Sequence, residues 1–249
     1  MLAAYTRQIQ IPHLMKKIQV EIWSDILCPF CYIGKRRLEK ALATFEHANE
    51  VEVKWRSFEL DPQANPTPGV NQYARLASKY GKSEEWARQM SANMTQMAAE
   101  EGLAFDFDRV VPANSLRAHR LVHLAAQHSQ QDAAKERLFK AYLEEGHDIN
   151  DLPTLARLGA ELNLPDAEVE QVLSSDAFEG EVRRDEYEAQ QIGVRGVPYF
   201  VFDDKYAVSG AQPTELFKEV LEKVWEEARP QPVAIGGLEG AACDIDGNC

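Results

Sequence analysis

The feature that most constrains this chain is a change of hydrophobic period on either side of the segment CPFC at residues 28–31. Before the segment, alternate residues of 18–22 are branched and aliphatic, which is the period of a strand. After it, residues 30–45 follow the period of an amphipathic helix, and a second alternating run begins at Val51. Pro29 suits the first turn of a helix, because its fixed φ is helical and its missing N–H would be unpaired there. The chain therefore predicts the order strand, cysteine pair, helix, strand.

A long helical region follows this unit. We predict helices near residues 71–80, 83–101, 115–128, 131–145, 153–163, 166–174 and 177–191. Two apolar runs on either side of Asp203 and Asp204 then predict a hairpin. The last predicted helix would turn four residues inward, namely Leu216, Val220, Leu221 and Val224. We therefore expect an α/β fold that is interrupted by a helical insertion.

The predicted elements divide the chain into four parts. Residues 17–68 and 193–228 would form one α/β domain, and residues 69–192 would be inserted into it as a helical domain. Residues 1–16 carry a proline and no clear period, so they are expected to be a disordered extension, with Met15 as an alternative start. Residues 229–249 are Gly-rich and aperiodic, which predicts a flexible tail.

Charge and hydropathy exclude some classes of function. The 27 basic and 40 acidic residues give a net charge of −13, which would repel nucleic acid over much of the surface. No apolar run reaches the ~18–20 residues that cross a bilayer. The N-terminus also lacks the continuous apolar core of a signal peptide. We therefore expect a cytoplasmic protein with neither a nucleic-acid nor a membrane partner.

The four cysteines form two local pairs, Cys28 with Cys31 and Cys243 with Cys249. Structural disulfides are rare in a reducing cytoplasm, so close thiol pairs indicate metal or redox chemistry. At a helix N-terminus, the thiolate of Cys28 would be stabilised by free N–H groups and the helix dipole. Cys31 would lie one turn inside the helix and be less exposed. Cys28 is then suited to attack a substrate disulfide and Cys31 to resolve the mixed disulfide, which favours redox chemistry over zinc.

A proline at the start of the third predicted strand is the other notable feature. From the residues alone, the Val197-Pro198 bond is expected to be trans, since only about 5–6 per cent of X–Pro bonds are cis. A cis bond would instead turn the N–H and C=O groups of Val197 toward an extended partner.

Together, CPFC at 28–31, GVRGVPYFVF at 193–202 and VSGAQP at 208–213 resemble the DsbA-like family of thioredoxin-fold oxidoreductases. Residues 114–125, 147–164 and 208–217 are similar to its FrnE-type cytoplasmic branch. The resemblance spans roughly residues 17–225. It implies a thioredoxin-like fold with a large helical insertion, an attacking Cys28, a resolving Cys31, and a cis Pro198 packed against the disulfide. It implies no organic cofactor and no metal.

The resemblance also implies substrates and partners. Protein thiols and disulfides would bind along Val197, Pro29 and Phe30, and glutathione or a thioredoxin-type reductant would recycle the site. Family members usually carry histidine where this chain has Phe30, so the Cys28 thiolate should be less stabilised here. We therefore expect a milder oxidant, or a protein closer to an isomerase or reductase.

The second cysteine pair has three interpretations. Members of the FrnE-type branch carry a C-terminal pair, which implies that Cys243 and Cys249 form a second redox pair that exchanges with the first. Alternatively, they are two unremarkable thiols. A third interpretation places all four cysteines around one zinc ion.

Two other functions stay open. One is a glutathione-dependent isomerase or transferase, like 2-hydroxychromene-2-carboxylate isomerase and the kappa-class transferases, which usually carry serine in place of Cys28. The other is a non-enzymatic protein whose thiols bind metal, or a chaperone.

Some side chains near the predicted site allow more than one role. His119 and His123 lie four residues apart on a helix but lack a neighbouring carboxylate, so we expect surface or boundary residues rather than metal ligands. Asp25 or Glu21 is a candidate proton acceptor for Cys31, although the simpler expectation is that one or both are solvent-facing charges at the end of the strand. Two aromatic residues, Trp23 and Tyr199, either line a substrate groove with Phe30 or belong to the core.

Overall fold

A computed structural model describes residues 17–64 and 70–228 of the chain. Its sheet contains β1 (Ile18–Ser24), β2 (Val51–Ser57), β3 (Tyr199–Phe202) and β4 (Tyr206–Ser209). The strands lie in the order β2-β1-β3-β4, with β1 parallel to β2 and antiparallel to β3, and β3 antiparallel to β4. The register places Ile22 of β1 between Trp55 and Phe200, so buried side chains from three strands line up across the sheet.

Helix α1 (Pro29–Thr44) connects the two parallel strands, since a parallel pair cannot be joined by a tight turn. Helix α9 (Thr214–Ala228) packs beside α1, and both helices contribute to the core that covers one face of the sheet. Phe217, Leu221 and Val224 are buried at the i, i+4, i+7 spacing of one helix face. The expectation that Leu216 faces inward is wrong, because that side chain lies one residue off this face and is 36% exposed.

Between β2 and β3 the described chain is helical. The helices are α2 (Gln72–Tyr80), α3 (Glu84–Glu100), α4 (Leu116–Gln127), α5 (Gln131–Leu143), α6 (Leu152–Glu161), α7 (Asp166–Ser174) and α8 (Glu179–Gln191). Helices α2 to α7 enclose a second, larger core, to which α1 contributes Tyr32 and Ile33, whereas α8 packs against β2. Tyr32 stacks on Phe139 of α5 with ring centroids 5.0 Å apart. Helix α1 therefore touches the sheet core with one face and the helical core with another.

The local signals in the sequence correspond to local contacts. Asp151 begins α6 as its N-cap, where its side chain accepts a hydrogen bond from the Thr154 N–H at 2.9 Å. Asp203 and Asp204 both have positive φ and join β3 to β4, as in the tight turns that connect hairpins. Each helix and strand predicted for the described ranges is present. The expectations for residues 1–16 and 229–249 lie outside the described residues.

Candidate active site

Cys28 is the N-cap residue of α1, in extended conformation with φ −94° and ψ 111°. Its carbonyl accepts a hydrogen bond from the Cys31 N–H at 3.0 Å, and Pro29 begins the helix, as the sequence predicts. Both sulfurs are thiols. Cys28 is 4% exposed and Cys31 is fully buried, so a large substrate can approach the first sulfur but not the second.

The loop before β3 lies against the first cysteine. The Val197-Pro198 bond is cis, so the expectation from the residues alone is wrong and the one from the family resemblance is confirmed. The Sγ of Cys28 lies 3.5 Å from the Val197 carbonyl oxygen, to which the thiol donates. Gly34 of α1 permits this approach, because a Cβ there would lie only 3.1 Å from the Pro198 ring. The Gly210 N–H donates to the Pro198 carbonyl at 2.8 Å and fixes the other side of the loop.

An apolar groove of about 430 Å³ extends from Cys28 to helices α2 and α3. Its walls include Phe30, Leu76, Tyr80, Trp86, Met90 and Met94. Phe30, Tyr80 and Met90 are among the large apolar side chains that stay exposed. The charged residues of its lining are Arg75 and Lys79, although the chain as a whole is strongly acidic. Apolar surface and positive charge therefore lie together beside the exposed edge of the cysteine pair.

The pKa of the Cys28 thiol differs from the expectation. The neighbouring Cys31 thiol and burial raise the pKa of Cys28 well above its ordinary value, while the Cys31 N–H acts in the opposite direction. A lowered pKa for Cys28, as the helix N-terminus alone predicts, is therefore wrong for the dithiol form. Phe30 is 39% exposed at the position where a histidine would add positive charge. The side chain of Phe30 therefore adds no positive charge that would stabilise the Cys28 thiolate.

Asp25 lies behind the cysteine pair and is fully buried. The expectation that it faces solvent is wrong, because the turn after β1 folds inward and its carboxylate accepts from the N–H groups of Leu27 at 3.1 Å and Leu60 at 2.8 Å. Burial acts to raise the pKa of Asp25, but His119 and the two amides outweigh it and lower the value. Glu21, by contrast, lies on the sheet in a partly exposed ion pair with Arg56. Asp25 therefore stays ionised beneath the site.

His119 of α4 is 1% exposed, with its Nε2 3.5 Å from the Asp25 carboxylate. The expectation of a surface or boundary residue is wrong, because α4 packs this side chain against the turn that follows β1. Burial is the largest influence on its pKa and lowers it, so His119 is neutral at neutral pH. No feature of the sequence singled out Asp25 as its partner, since the two residues are far apart along the chain.

Lys135 of α5 is a buried residue that sequence reasoning missed. It is 1% exposed, and its Nζ donates to the Ser24 carbonyl at 3.3 Å, at the end of β1. The signal was present in the helical spacing, because Lys135 shares an apolar face with Leu138, Phe139 and Tyr142. A lysine on such a face is either a boundary residue or a functional one.

Two aromatic residues, Trp23 and Tyr199, were candidates for either the substrate groove or the core, and the structure places both outside the groove lining. Trp23 belongs to the core, 3% exposed, with its Nε1 donating to the Asp185 carbonyl at 2.8 Å. Tyr199 is half-buried on the sheet, outside the lining of the groove. Phe30 alone of the three lines the groove.

Comparison with known proteins decides the family. The sequence profile of the DsbA-like thioredoxin domain matches residues 19–222, more than half of the chain. The chain belongs to this family. The expectation of a DsbA-like thioredoxin fold is thereby confirmed, and the finer placement in the FrnE-type branch stays a prediction.

One solved relative at 40% identity supports the same placement, and two other relatives are more distant. The chain is 40% identical to a probable DsbA oxidoreductase from Streptomyces coelicolor, with a TM-score of 0.81 over 93% of this chain and 98% of that one. It is 25% identical to the uncharacterized protein YwbO of Bacillus subtilis, over 82% of this chain and 96% of YwbO. The cytosolic disulfide reductase DsbM of Pseudomonas aeruginosa is 19% identical, with a TM-score of 0.60 over 84% and 99% of the two chains. The likeness to DsbM shows the fold alone.

A serine, a histidine and an aspartate also meet at the end of β2. Ser57 and Asp185 both contact His123, at 3.0 and 3.3 Å, but through the same nitrogen, Nε2. A Ser-His-Asp relay needs the two partners on different ring nitrogens, so these residues do not form one.

Within 17–64 and 70–228, no group of three or more side chains is placed to hold a metal ion. None of the helices in those ranges is long and apolar enough to cross a membrane.

The second cysteine pair, Cys243 and Cys249, lies outside the described residues. The zinc interpretation requires both of these cysteines, so it also lies outside the described residues.

Proposed function

We propose that this DsbA-like protein is a thiol–disulfide oxidoreductase that acts on proteins, with Cys28 as the attacking and Cys31 as the resolving sulfur. The observation that carries the proposal is the position of Cys28. Its sulfur lies at the start of α1, 3.5 Å from the Val197 carbonyl oxygen and at the edge of an apolar groove. These are the parts that disulfide exchange with a polypeptide requires: an approachable sulfur, a backbone to bind, and apolar surface.

The exchange takes two steps. The Cys28 thiolate attacks one sulfur of the substrate disulfide, the substrate S–S bond breaks, and the second substrate sulfur leaves as a thiolate. The Cys31 thiolate then attacks Cys28 in the mixed disulfide, and the remaining substrate sulfur leaves. The substrate is reduced by two electrons and the pair becomes a disulfide. Because Cys31 is fully buried, its attack is confined to Cys28.

The loop at Val197 and Pro198 supports the binding of an extended substrate. In the dithiol form the Val197 carbonyl accepts from the Cys28 thiol. Once Cys28 is in a disulfide it has no proton to donate, so that carbonyl becomes available to a backbone N–H of the substrate. Pro29 and Phe30 form the other side of the approach, and Phe30 offers an exposed apolar contact.

The groove supports a protein substrate in preference to small thiols alone. Exposed aromatic and methionine side chains line it, and methionine adapts its shape to different apolar partners. Such surface beside the sulfur favours unfolded or flexible segments that expose apolar residues.

Glutathione is a second candidate partner, as the reductant that recycles the pair. Arg75 and Lys79 offer positive charge for its carboxylates. The fold relative DsbM has been solved with glutathione bound. In this role glutathione would act at the same cysteines. DsbM is a cytosolic protein, which agrees with the cytoplasmic location expected for this chain. We further propose Cys243 and Cys249 as a second redox pair, on the basis of the sequence.

A redox titration tests the function. The full chain is equilibrated in glutathione buffers, alkylated, and its thiols are counted by mass spectrometry for each cysteine. We expect one two-electron transition for Cys28 and Cys31. The Cys31→Ser variant should accumulate a mixed disulfide when its Cys28 thiol attacks a test protein that contains a disulfide, because no second enzyme thiol is present to resolve it, and Cys28→Ser should not.

The full-length variant with both Cys243→Ser and Cys249→Ser separates the two pairs. A shifted midpoint for Cys28 and Cys31 in that variant would indicate exchange between the pairs. If the thiols never pair, and if the protein binds stoichiometric zinc that is lost in the Cys→Ser variants, the protein is a metal-binding protein and not an oxidoreductase.

A further inference from the structure

Two buried polar side chains line the apolar groove beside Cys28. Gln72, the first residue of α2, is 6% exposed, and Ser91, in the middle of α3, is 5% exposed. Neither the Gln72 Oε1 nor the Ser91 Oγ has a hydrogen-bond partner within residues 17–64 and 70–228. Most buried polar atoms of a folded protein are hydrogen-bonded, so these two atoms need an explanation.

A hydroxyl in the interior of a helix commonly donates to the carbonyl four residues earlier. Thr95, one turn after Ser91 on α3, does so, because its Oγ1 donates to the Ser91 carbonyl at 3.0 Å. The Ser91 Oγ forms no such bond within the described ranges, although the carbonyl of Ala87 precedes it at the same spacing. The helix that carries Ser91 therefore leaves this hydroxyl available to the groove.

Gln131 shows how a glutamine amide of this chain pairs when a partner is present. Its Oε1 accepts from the Trp55 N–H at 3.0 Å, and its Nε2 donates to the Trp55 carbonyl at 2.9 Å. Trp55 belongs to β2, so the amide binds the N–H and C=O of one residue on an extended strand. Gln72 carries the same group into the groove without such a strand beside it.

The face of α2 that carries Gln72 follows the groove. Its members recur at the i, i+3, i+4, i+7 and i+8 spacing of one helix face, namely Gln72, Arg75, Leu76, Lys79 and Tyr80. Lys79 and Tyr80 are exposed, whereas Gln72 is the buried polar member of this row. Cys28 and Val197 line the same groove. A substrate that reacts at Cys28 and continues along the groove can therefore meet Gln72.

The unpartnered atom of Gln72 limits the chemistry of what binds there. It is an acceptor, so its partner must bring a hydrogen-bond donor, which neither an ionised carboxylate nor an apolar molecule has. A polypeptide presents an N–H and a C=O at every residue except proline, and an extended one also supplies apolar side chains for the groove walls. A substrate backbone therefore satisfies both the polar and the apolar parts of the lining.

We propose that Gln72 and Ser91 form a polar subsite that hydrogen-bonds the backbone of the substrate, with Gln72 accepting one of its N–H groups. The proposal rests on the proposed function and specifies the substrate as an extended polypeptide that continues from the reacting disulfide along the groove. Because the contact is to the main chain, the subsite favours polypeptides over small disulfides without selecting one sequence.

Gln72→Met tests the subsite, because methionine is unbranched and removes the polar atoms. The probe is the disulfide-linked dimer of a short blocked peptide that has one cysteine among leucines and alanines. We expect kcat/KM for its reduction to fall about fivefold, as for the loss of one hydrogen bond. A small aromatic disulfide has no backbone, so its reduction should change by less than about twofold. Ser91→Ala should show the same selectivity.

Thermal unfolding distinguishes a binding role from a structural one. Gln72→Met should be at least as stable as the parent chain, because it removes a buried polar atom that has no partner in the free protein. A lower Tm would show that the amide serves the fold and would contradict the subsite. Circular dichroism establishes that both variants keep the helical content of the parent chain.

Backbone esters in the peptide identify the bound N–H, since each ester replaces one N–H by an oxygen that cannot donate. At one position the ester should lower kcat/KM about fivefold with the parent chain and by less than about twofold with Gln72→Met. Gln89→Met is the matched control, because Gln89 is exposed on α3, bonds to Asn93 and lies outside the groove lining. It should behave as the parent chain does. An unchanged kcat/KM in Gln72→Met, or an equal loss in Gln89→Met, would overturn the proposal.

Binding without exchange separates this proposal from the proposed function. The same peptide with serine in place of its cysteine cannot react, and its Kd should rise about fivefold in Gln72→Met. If the parent chain reduces no disulfide but shows this difference in Kd, the proposed function fails and the subsite stands. Equal binding by the parent chain and Gln72→Met, or no binding by the parent chain, would overturn the subsite.

Discussion

The His119 imidazole lies 3.5 Å from the Asp25 carboxylate, and both side chains are shielded from solvent. Asp25 belongs to the turn that carries the first cysteine, whereas His119 belongs to α4, more than ninety residues later in the chain. The carboxylate also binds the Leu60 N–H, just after β2. One buried side chain thus ties the turn before α1 to both the sheet and the helical region, which holds Cys28 in place.

The neutral state of His119 predicts a pH dependence of stability. Burial lowers its pKa in the folded chain, whereas the unfolded chain takes up a proton near pH 6.5. Below that pH the unfolded state binds more protons, so the free energy of unfolding should fall by about 1.4 kcal/mol per pH unit from this residue. In His119→Gln this contribution is absent. Urea unfolding of both chains between pH 5 and 7.5 measures it, and parallel curves would show that His119 does not titrate as inferred.

Glu59 predicts a pH dependence of stability with the opposite sign. Its side chain is buried beside Arg183, and burial, the largest influence, raises its pKa to about 7. Between about pH 4.5 and pH 7 the folded chain keeps a proton that the unfolded chain has released, so stability is lost as the pH rises. Glu59→Gln should therefore gain about 2 kcal/mol relative to the parent chain between pH 5 and pH 8. Urea titrations at these two pH values suffice, and a constant difference would contradict the raised pKa.

A histidine at position 30 should make the site more oxidising. Phe30 is 39% exposed, so Phe30→His introduces no buried polar group. Positive charge next to Cys28 would lower the pKa of its thiol and favour the reduced form. We expect the equilibrium with glutathione to shift about tenfold toward the dithiol, and thiolate absorbance to appear at lower pH. Phe30→Leu, which adds no charge, is the control. An equal shift in both variants would assign the effect to shape.

A charge in the groove should affect protein substrates selectively. Met90 is 41% exposed on the groove wall, so Met90→Glu should leave the fold intact while it places a carboxylate among apolar side chains. We expect at least a fivefold loss in kcat/KM for reduction of a protein disulfide, about 1 kcal/mol, and little change with a small aromatic disulfide. Leu152→Glu is a matched control, because Leu152 is 40% exposed on α6, outside the groove lining. If both variants lose activity equally, the groove does not bind the substrate.

The sequence predicted the elements well and some side-chain environments poorly. Period, proline and capping signals are local, so the helices and strands of the described ranges appear where those signals occur. Burial of a polar side chain depends on what packs against it. Asp25 and His119 were expected at the surface because neither residue reveals its partner. Lys135 was overlooked although its helical spacing placed it on an apolar face.

By itself, the sequence determined the order of strand, cysteine pair, helix and strand, the helical insertion and the two sulfurs that can react, because hydrophobic period and residue type suffice for those features. The tertiary structure decided the cis peptide before Pro198, the contact between Cys28 and Val197, and the burial of Asp25, His119 and Lys135. Each of these depends on segments that are distant in the chain and meet only on folding. The charge that surrounds a buried sulfur is set by such meetings, because electrostatic interactions act through space and strengthen where water is excluded.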